Sequence, residues 1–237
     1  MRRTFLMLPW LIPTLAWAAP VVPDRPGFST GTATVPPGAL QVEMGVRFSY
    51  SPRSADLDSY TAPLLNLRTG LTEKTEFNLL WDGMQVVKGE GHDTADLMVG
   101  VKHRLHEGNQ FNFSLLGYLF VQEGRLAPFL GLLWDRKLSS FVGLFGTLQV
   151  STSAEASEWQ TNFQPAVGLA FSHGPQLGSF VEIYSDVPLE SSRLTSTVID
   201  TGVAWLPRED VQLDINFGLA LDNRSEDFVG IGLAVRY

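Results

Sequence analysis

The sequence predicts an all-β protein, an antiparallel transmembrane β-barrel of about twelve strands, and three observations carry that prediction. From Leu40 onward apolar and polar residues alternate with period two. In the first run Leu40, Val42, Met44, Val46, Phe48 and Tyr50 share one face, while Gln41, Glu43, Gly45, Arg47 and Ser49 share the other. Past residue 18 no uninterrupted apolar run approaches the ~18 residues of a membrane helix, so an integral membrane role requires a barrel. Finally, tight turns alternate with longer acidic connections, the rhythm of outer-membrane barrels. Alternation alone also fits a soluble sandwich, whose polar face meets water; the turn rhythm favours the barrel.

The chain opens with Arg2 and Arg3, an apolar stretch from Phe5 to Leu15, and Ala16-Trp17-Ala18. This is the pattern of a secretory signal peptide over residues 1–18, too short and too interrupted by Pro9 and Pro13 for an anchor. Its removal takes two of the 17 basic residues and leaves 15 against 25 acidic ones, a balance of −10. That balance disfavours nucleic acid as a partner. With no Cys, disulfides, thiol catalysis and thiolate metal sites are excluded. Residues 19–39 form a Pro/Gly-rich N-terminal segment without an apolar stripe, expected to be irregular and extended. Residues 40–237 are the expected barrel.

After the first strand, the second is expected over Tyr60–Thr69. The third sets Phe77, Leu79 and Trp81 against Glu76, Asn78 and Asp82; the fourth sets Leu97, Val99 and Val101 against Asp96, Lys102 and Arg104. The fifth opposes Phe111, Phe113, Leu115 and Leu119 to Asn112, Ser114 and Tyr118, and the sixth carries Leu130, Leu132 and Trp134. The seventh, Phe141–Val150, is apolar on both faces. The eighth opposes Trp159, Phe163, Val167, Leu169 and Phe171 to Gln160, Asn162 and Gln164. The ninth is Phe180–Asp186, and the tenth sets Ile199, Val203 and Trp205 against Asp200. The eleventh sets Val211, Leu213, Ile215, Phe217 and Leu219 against Gln212, Asp214 and Asn216; the twelfth is Phe228–Tyr237.

Tight turns at Thr72, Glu107, Arg136, Gly174 and Arg208 follow even-numbered strands. Less regular segments around Asp56, Glu90, Glu123, Glu155, Glu190 and Arg224 follow odd-numbered ones. Both termini then lie on the periplasmic side. The last strand ends on Tyr237, an ending that resembles the C-terminal signal read by the barrel-assembly machinery. The lipid bilayer of a Gram-negative outer membrane is the expected environment.

In a barrel the apolar face meets lipid and the polar face the lumen. The lumen candidates are Glu43, Arg47, Arg68, Glu76, Asn78, Asp96, Lys102, Arg104, Asn162, Glu182, Asp200, Asp214 and Arg236. Charges so dense need partners or water. They form either a solvated path for a small solute or an ion-paired filling of a narrow barrel. The N-terminal segment adds Asp24, Arg25 and Pro26. The simpler reading is a disordered periplasmic tail; the alternative is a lumen plug in which Arg25 pairs with Glu43, Glu76, Glu182 or Asp214.

No catalytic residue, metal site or cofactor is expected. Gly27-Phe28-Ser29-Thr30-Gly31 matches a nucleophile motif, but neither a strand precedes it nor a helix follows. His103 and His106 fall on opposite faces of a strand. Asp56 and Asp58 read as a solvated acidic loop rather than a calcium site.

The stretches DRPGFSTGTATVPPGALQVEMG, LRTGLTEKTEFNL, GVKHRL and DFVGIGLAVRY resemble the bacterial family labelled "putative meta-pathway of phenol degradation", often called transporters. Asp24-Arg25-Pro26 and Pro36-Pro37-Gly38 are its most specific elements here. The resemblance implies an outer-membrane barrel and a genomic link to aromatic degradation, without catalytic residues. The expected function is a channel or transporter for a small solute, aromatic or hydrophobic. The alternatives are a structural or surface-interaction barrel and an outer-membrane hydrolase.

Overall fold

A computed structural model describes residues 20–51, 57–122, 125–155, 158–189 and 194–237. The expected leader over residues 1–18, and Asp56, Glu123 and Glu190, lie outside the described residues.

Fourteen strands follow one another: β1 Leu40–Tyr50, β2 Leu57–Thr72, β3 Thr75–Trp81, β4 Met84–Val87, β5 Gly91–Thr94, β6 Leu97–Glu107 and β7 Phe111–Gln122. The second half holds β8 Arg125–Lys137, β9 Val142–Glu155, β10 Glu158–Ser172, β11 Leu177–Pro188, β12 Ser196–Arg208, β13 Val211–Ala220 and β14 Asp227–Arg236. Twelve of them make an antiparallel barrel that closes when β1 pairs with both β2 and β14. Closure leaves no wall strand with an unpaired ladder, which a backbone in lipid requires.

The remaining two, β4 and β5, form a hairpin carried by the outer half of β2, where Ser59 to Ala62 pair with Val87 to Met84. The sequence reading had no strands here, because Met-Gln-Val-Val and Gly-His-Asp-Thr are too short to show a period. Two connections expected to be long outer loops are instead short. β7 ends at Gln122 and β8 begins at Arg125; β9 ends at Glu155 and β10 begins at Glu158. The length has gone into the strands: β2, β9 and β10 run 16, 14 and 15 residues, past the ~10 needed to cross a bilayer.

Burial follows the alternation with the opposite sense to a soluble protein. On β13 the buried positions are Gln212, Asp214, Asn216 and Gly218, while Leu213, Ile215, Phe217 and Leu219 are exposed. The exposed apolar set continues around the wall through Met44, Phe77, Val99, Leu115, Leu130, Leu148, Val167, Val181, Ile199 and Ile231. Such an exterior is solvated by acyl chains, and the polar interior faces the lumen.

Candidate functional site

The lumen is occupied by the chain's own N-terminal segment. Residues 20–37 enter at the end of the barrel where β1 begins and β14 ends, rise to an apex at Pro26–Thr30, and return to start β1. A segment with prolines at 20, 23, 26, 36 and 37 lacks the donors for a ladder of its own. Its remaining N–H and C=O groups need partners, and the barrel wall supplies them.

On the rising leg, Val21 N donates to Glu209 O at 2.6 Å, and Arg236 Nη1 donates to Pro20 O at 3.3 Å. Val22 O accepts from Arg68 Nη1 at 3.1 Å and from Gln41 Nε2 at 3.3 Å. Asp24 N donates to both Glu43 carboxylate oxygens, at 3.2 and 3.0 Å. The Arg25 guanidinium binds Asp214 on β13, and Asn216 Nδ2 donates to Pro26 O at 2.9 Å.

At the apex, Phe28 N and Ser29 N both donate to Glu182 on β11, and the Phe28 ring stacks on Tyr184 with centroids 4.1 Å apart. On the returning leg Ser114 Oγ donates to Thr32 O at 2.6 Å, and the Thr32 hydroxyl binds Asp135. Ala33 O accepts from Arg68 Nη2 and Lys102 Nζ. Arg104 Nη2 donates to Thr34 Oγ1, and Val35 N to Glu76 Oε2 at 2.6 Å. Pro37 then bridges to Gly70, where a Cβ would lie 2.2 Å from Pro36 O.

Between the legs lies an ionic cluster. Arg68 Nη1 is 2.8 Å from Glu43 and 3.2 Å from Asp24, and its Nε is 2.9 Å from Glu76. Lys102 Nζ is 2.7 Å from Asp24 and 3.4 Å from Glu76. Arg68 and Lys102 are both 0 % exposed, so their charges are compensated by neighbours rather than by water. One aspartate from the segment thus completes a network otherwise made by the wall.

Of the lumen candidates, Glu43, Arg68, Glu76 and Lys102 meet in this cluster, and Arg104, Glu182, Asp214 and Arg236 each hold the segment elsewhere. Asn78 is buried near the cluster's strands without a hydrogen-bond partner for its amide, and Asn162 Oδ1 is likewise unpartnered. Asp200 is buried and stands across from Glu182 in the β11–β12 register. Arg47 and Asp96 touch none of the segment's ionic partners; they line the cavity above it.

Two glycines to which the sequence reading gave no role shape the site. Gly45 and Gly232 pair across β1 and β14, and Gly232 pairs with Asp214 on β13. A Cβ on Gly232 would fall 2.1 Å from Arg25 Nε, and one on Gly45 2.6 Å from Arg25 Nη1. The missing side chains make the recess for the guanidinium. The available signal was a glycine in each lumen-facing row, where neighbours such as Glu43 and Arg47 are long. Ser29, the centre of the nucleophile-like motif, belongs to the apex and gives its N–H to Glu182.

Above the apex the outer lumen is a cavity of about 780 Å³. Its floor includes Pro26, Gly27, Phe28 and Thr30; its walls include Arg47, Asn66, Asp82, Asp96 and Gln149. One sector is apolar, with Leu80, Met98, Leu116, Tyr118 and Phe129 lining it, and Leu133 packed into the same cluster. The interior is therefore not uniformly polar. This corrects the expectation that apolar side chains face lipid alone. Arg47 projects into the space with its guanidinium carbon 4.5 Å from the Phe228 ring centroid, a cation–π contact.

Comparison with known proteins agrees with this architecture. The profile of the family described as "Putative MetA-pathway of phenol degradation" matches residues 23–237. No curated protein matches the chain in sequence. Among solved structures, the NanC porin superposes with a TM-score of 0.62 at 11 % identity, covering 83 % of this chain and 98 % of that one. The translocator domain of autotransporter NalP from Neisseria meningitidis gives 0.52 at 11 % identity, covering 84 % and 88 %. At these identities the likeness is one of fold, that of outer-membrane barrels.

Proposed function

Because this chain belongs to the "Putative MetA-pathway of phenol degradation" family, we propose that it is an outer-membrane barrel that admits a small solute to its outer cavity and passes it when the N-terminal segment yields. The observation that carries this reading is the division of the lumen. The outer half is an open cavity of about 780 Å³, and the periplasmic half is filled by a segment held mainly through hydrogen bonds and ion pairs, with one ring stack at its apex. An inert filling would leave no such chamber. The side chains that hold the segment are engaged with its backbone and with Asp24, Arg25, Thr32 and Thr34, and none presents a nucleophile and base to the chamber, so the proposed role is passage rather than catalysis.

Deletion of residues 20–37 tests the reading in proteoliposome swelling and planar-bilayer recordings. The expected result is a marked rise in conductance and solute flux, with the barrel still folded, since the wall's own ladders are intact. A correctly folded deletion variant with the flux of the full chain would remove the proposal.

A further inference from the structure

The outer cavity carries an arrangement that the passage reading leaves unused. Leu80 on β3 and Met98 on β6 are direct register partners, and both pack onto the lumenal apolar cluster. Two residues beyond each, at the outer end of the same face, stand Asp82 and Asp96, both lining the cavity. The two backbones are fixed there, since Ala95 N donates to Gly83 O at 2.8 Å and the Trp81 indole donates to Ala95 O at 3.0 Å. Neither carboxylate is in an ion pair among the described residues. Beside them Asn66, the β2 partner of Leu80 and 9 % exposed, lines the same cavity with its Oδ1 lacking any hydrogen-bond donor.

Three acceptors without donors, set at the edge of an apolar wall, call for a ligand that brings donors and positive charge on one end and an apolar body on the other. Resting on the passage reading of this cavity, we propose that its solute is a small organic ammonium. Its nitrogen lies between Asp82, Asp96 and Asn66 Oδ1, and its apolar body lies along Leu80, Met98, Leu116 and Phe129. Arg47, on the β1 side, rests over the Phe228 ring; its charge also attracts Asp82, without a salt-bridge contact between them. At the floor Arg25, Asp24 and Glu43 also line the space but are ion-paired with Asp214 and Arg68, and the remaining ionic groups, Asp93 and Glu226, add to the negative field. A carboxylate solute meets that field with the wrong sign.

The test uses the full chain, folded in detergent, and three probes of matched size: benzylamine, benzyl alcohol and benzoate. Calorimetry or tryptophan fluorescence gives each dissociation constant at neutral pH and low salt. Benzylammonium is expected to bind about tenfold or more tightly than the alcohol, with benzoate weakest. In the Asp82→Asn, Asp96→Asn double variant, checked for folded mobility, the amine's advantage should shrink to within about twofold. Equal binding of amine and alcohol, preference for benzoate, or an amine advantage untouched by the double variant would overturn the proposal. Because binding is read on the closed barrel, loss of the passage reading through an unchanged deletion flux leaves this result standing, and the converse holds.

Discussion

The Arg25 guanidinium and the Asp214 carboxylate meet through two nitrogens: Nη2 lies 3.0 Å from Oδ1, and Nε lies 3.3 and 3.2 Å from Oδ1 and Oδ2. Arg25 comes from the inserted segment and Asp214 from β13, 189 residues away along the chain. The forked contact fixes direction as well as distance, which a lysine in the same place could not do.

Replacing Arg25 with Ala, or Asp214 with Asn, should loosen the apex and raise the open probability in planar bilayers. A double-mutant cycle on segment occupancy, read by protease access to the N-terminal segment, should return a coupling of about 0.5–3 kcal/mol. A coupling of zero would place the hold on the segment elsewhere.

Gly232→Ala removes no charge and no hydrogen bond, yet its methyl would fall where Arg25 Nε now sits. It should reproduce the Arg25→Ala conductance in the wild-type background. Combined with Arg25→Ala it should add nothing, since the recess is then empty. Additive effects of the two changes in single-channel recordings would contradict the recess.

Arg68→Ala takes one of two cations from a buried cluster holding Asp24, Glu43 and Glu76. The expected cost is about 3–5 kcal/mol in a reversible unfolding titration in lipid vesicles. Glu107→Ala, which removes the exposed partner of the Arg104 ion pair and leaves Arg104 on Thr34, should cost under about 1 kcal/mol.

Ile215→Arg places a charge on the lipid face of β13 and should cost roughly 2–4 kcal/mol in the same titration. Its neighbour Asn216 faces inward and binds Pro26 O. Asn216→Arg should therefore act on the segment, raising conductance more than it lowers stability. Equal destabilisation at both positions would argue against a two-faced wall.

The wall was readable because each strand keeps one environment per face, and β13 shows the period in single residues from Leu213 to Leu219. The inserted segment was legible only as one of two readings, tail or plug. Its place depends on hydrogen bonds from Glu43, Glu182 and Asn216 to backbone groups, and a backbone N–H has no letter in the sequence. Asp24, Arg25 and the inward carboxylates could be named as partners, but which carboxylate Arg25 takes is decided by the space above Gly232. The apolar lumen sector was hidden for another reason. In Phe111–Gln122 and Arg125–Lys137 apolar residues stand on both faces, so the alternation that put Leu115 and Leu132 outward left Leu116 and Leu133 inward, with nothing in the pattern to mark an apolar cluster inside the lumen.

The recess for Arg25 is assembled from β1, β13 and β14, with Gly45 and Gly232 meeting across the seam where the first wall strand joins the last. Until that seam zips, the recess does not exist. Residues 20–37 are therefore translated before any part of the wall, but the berth of Arg25 is complete only once the first strand has met the last, and its occupation is a record that the cylinder has shut.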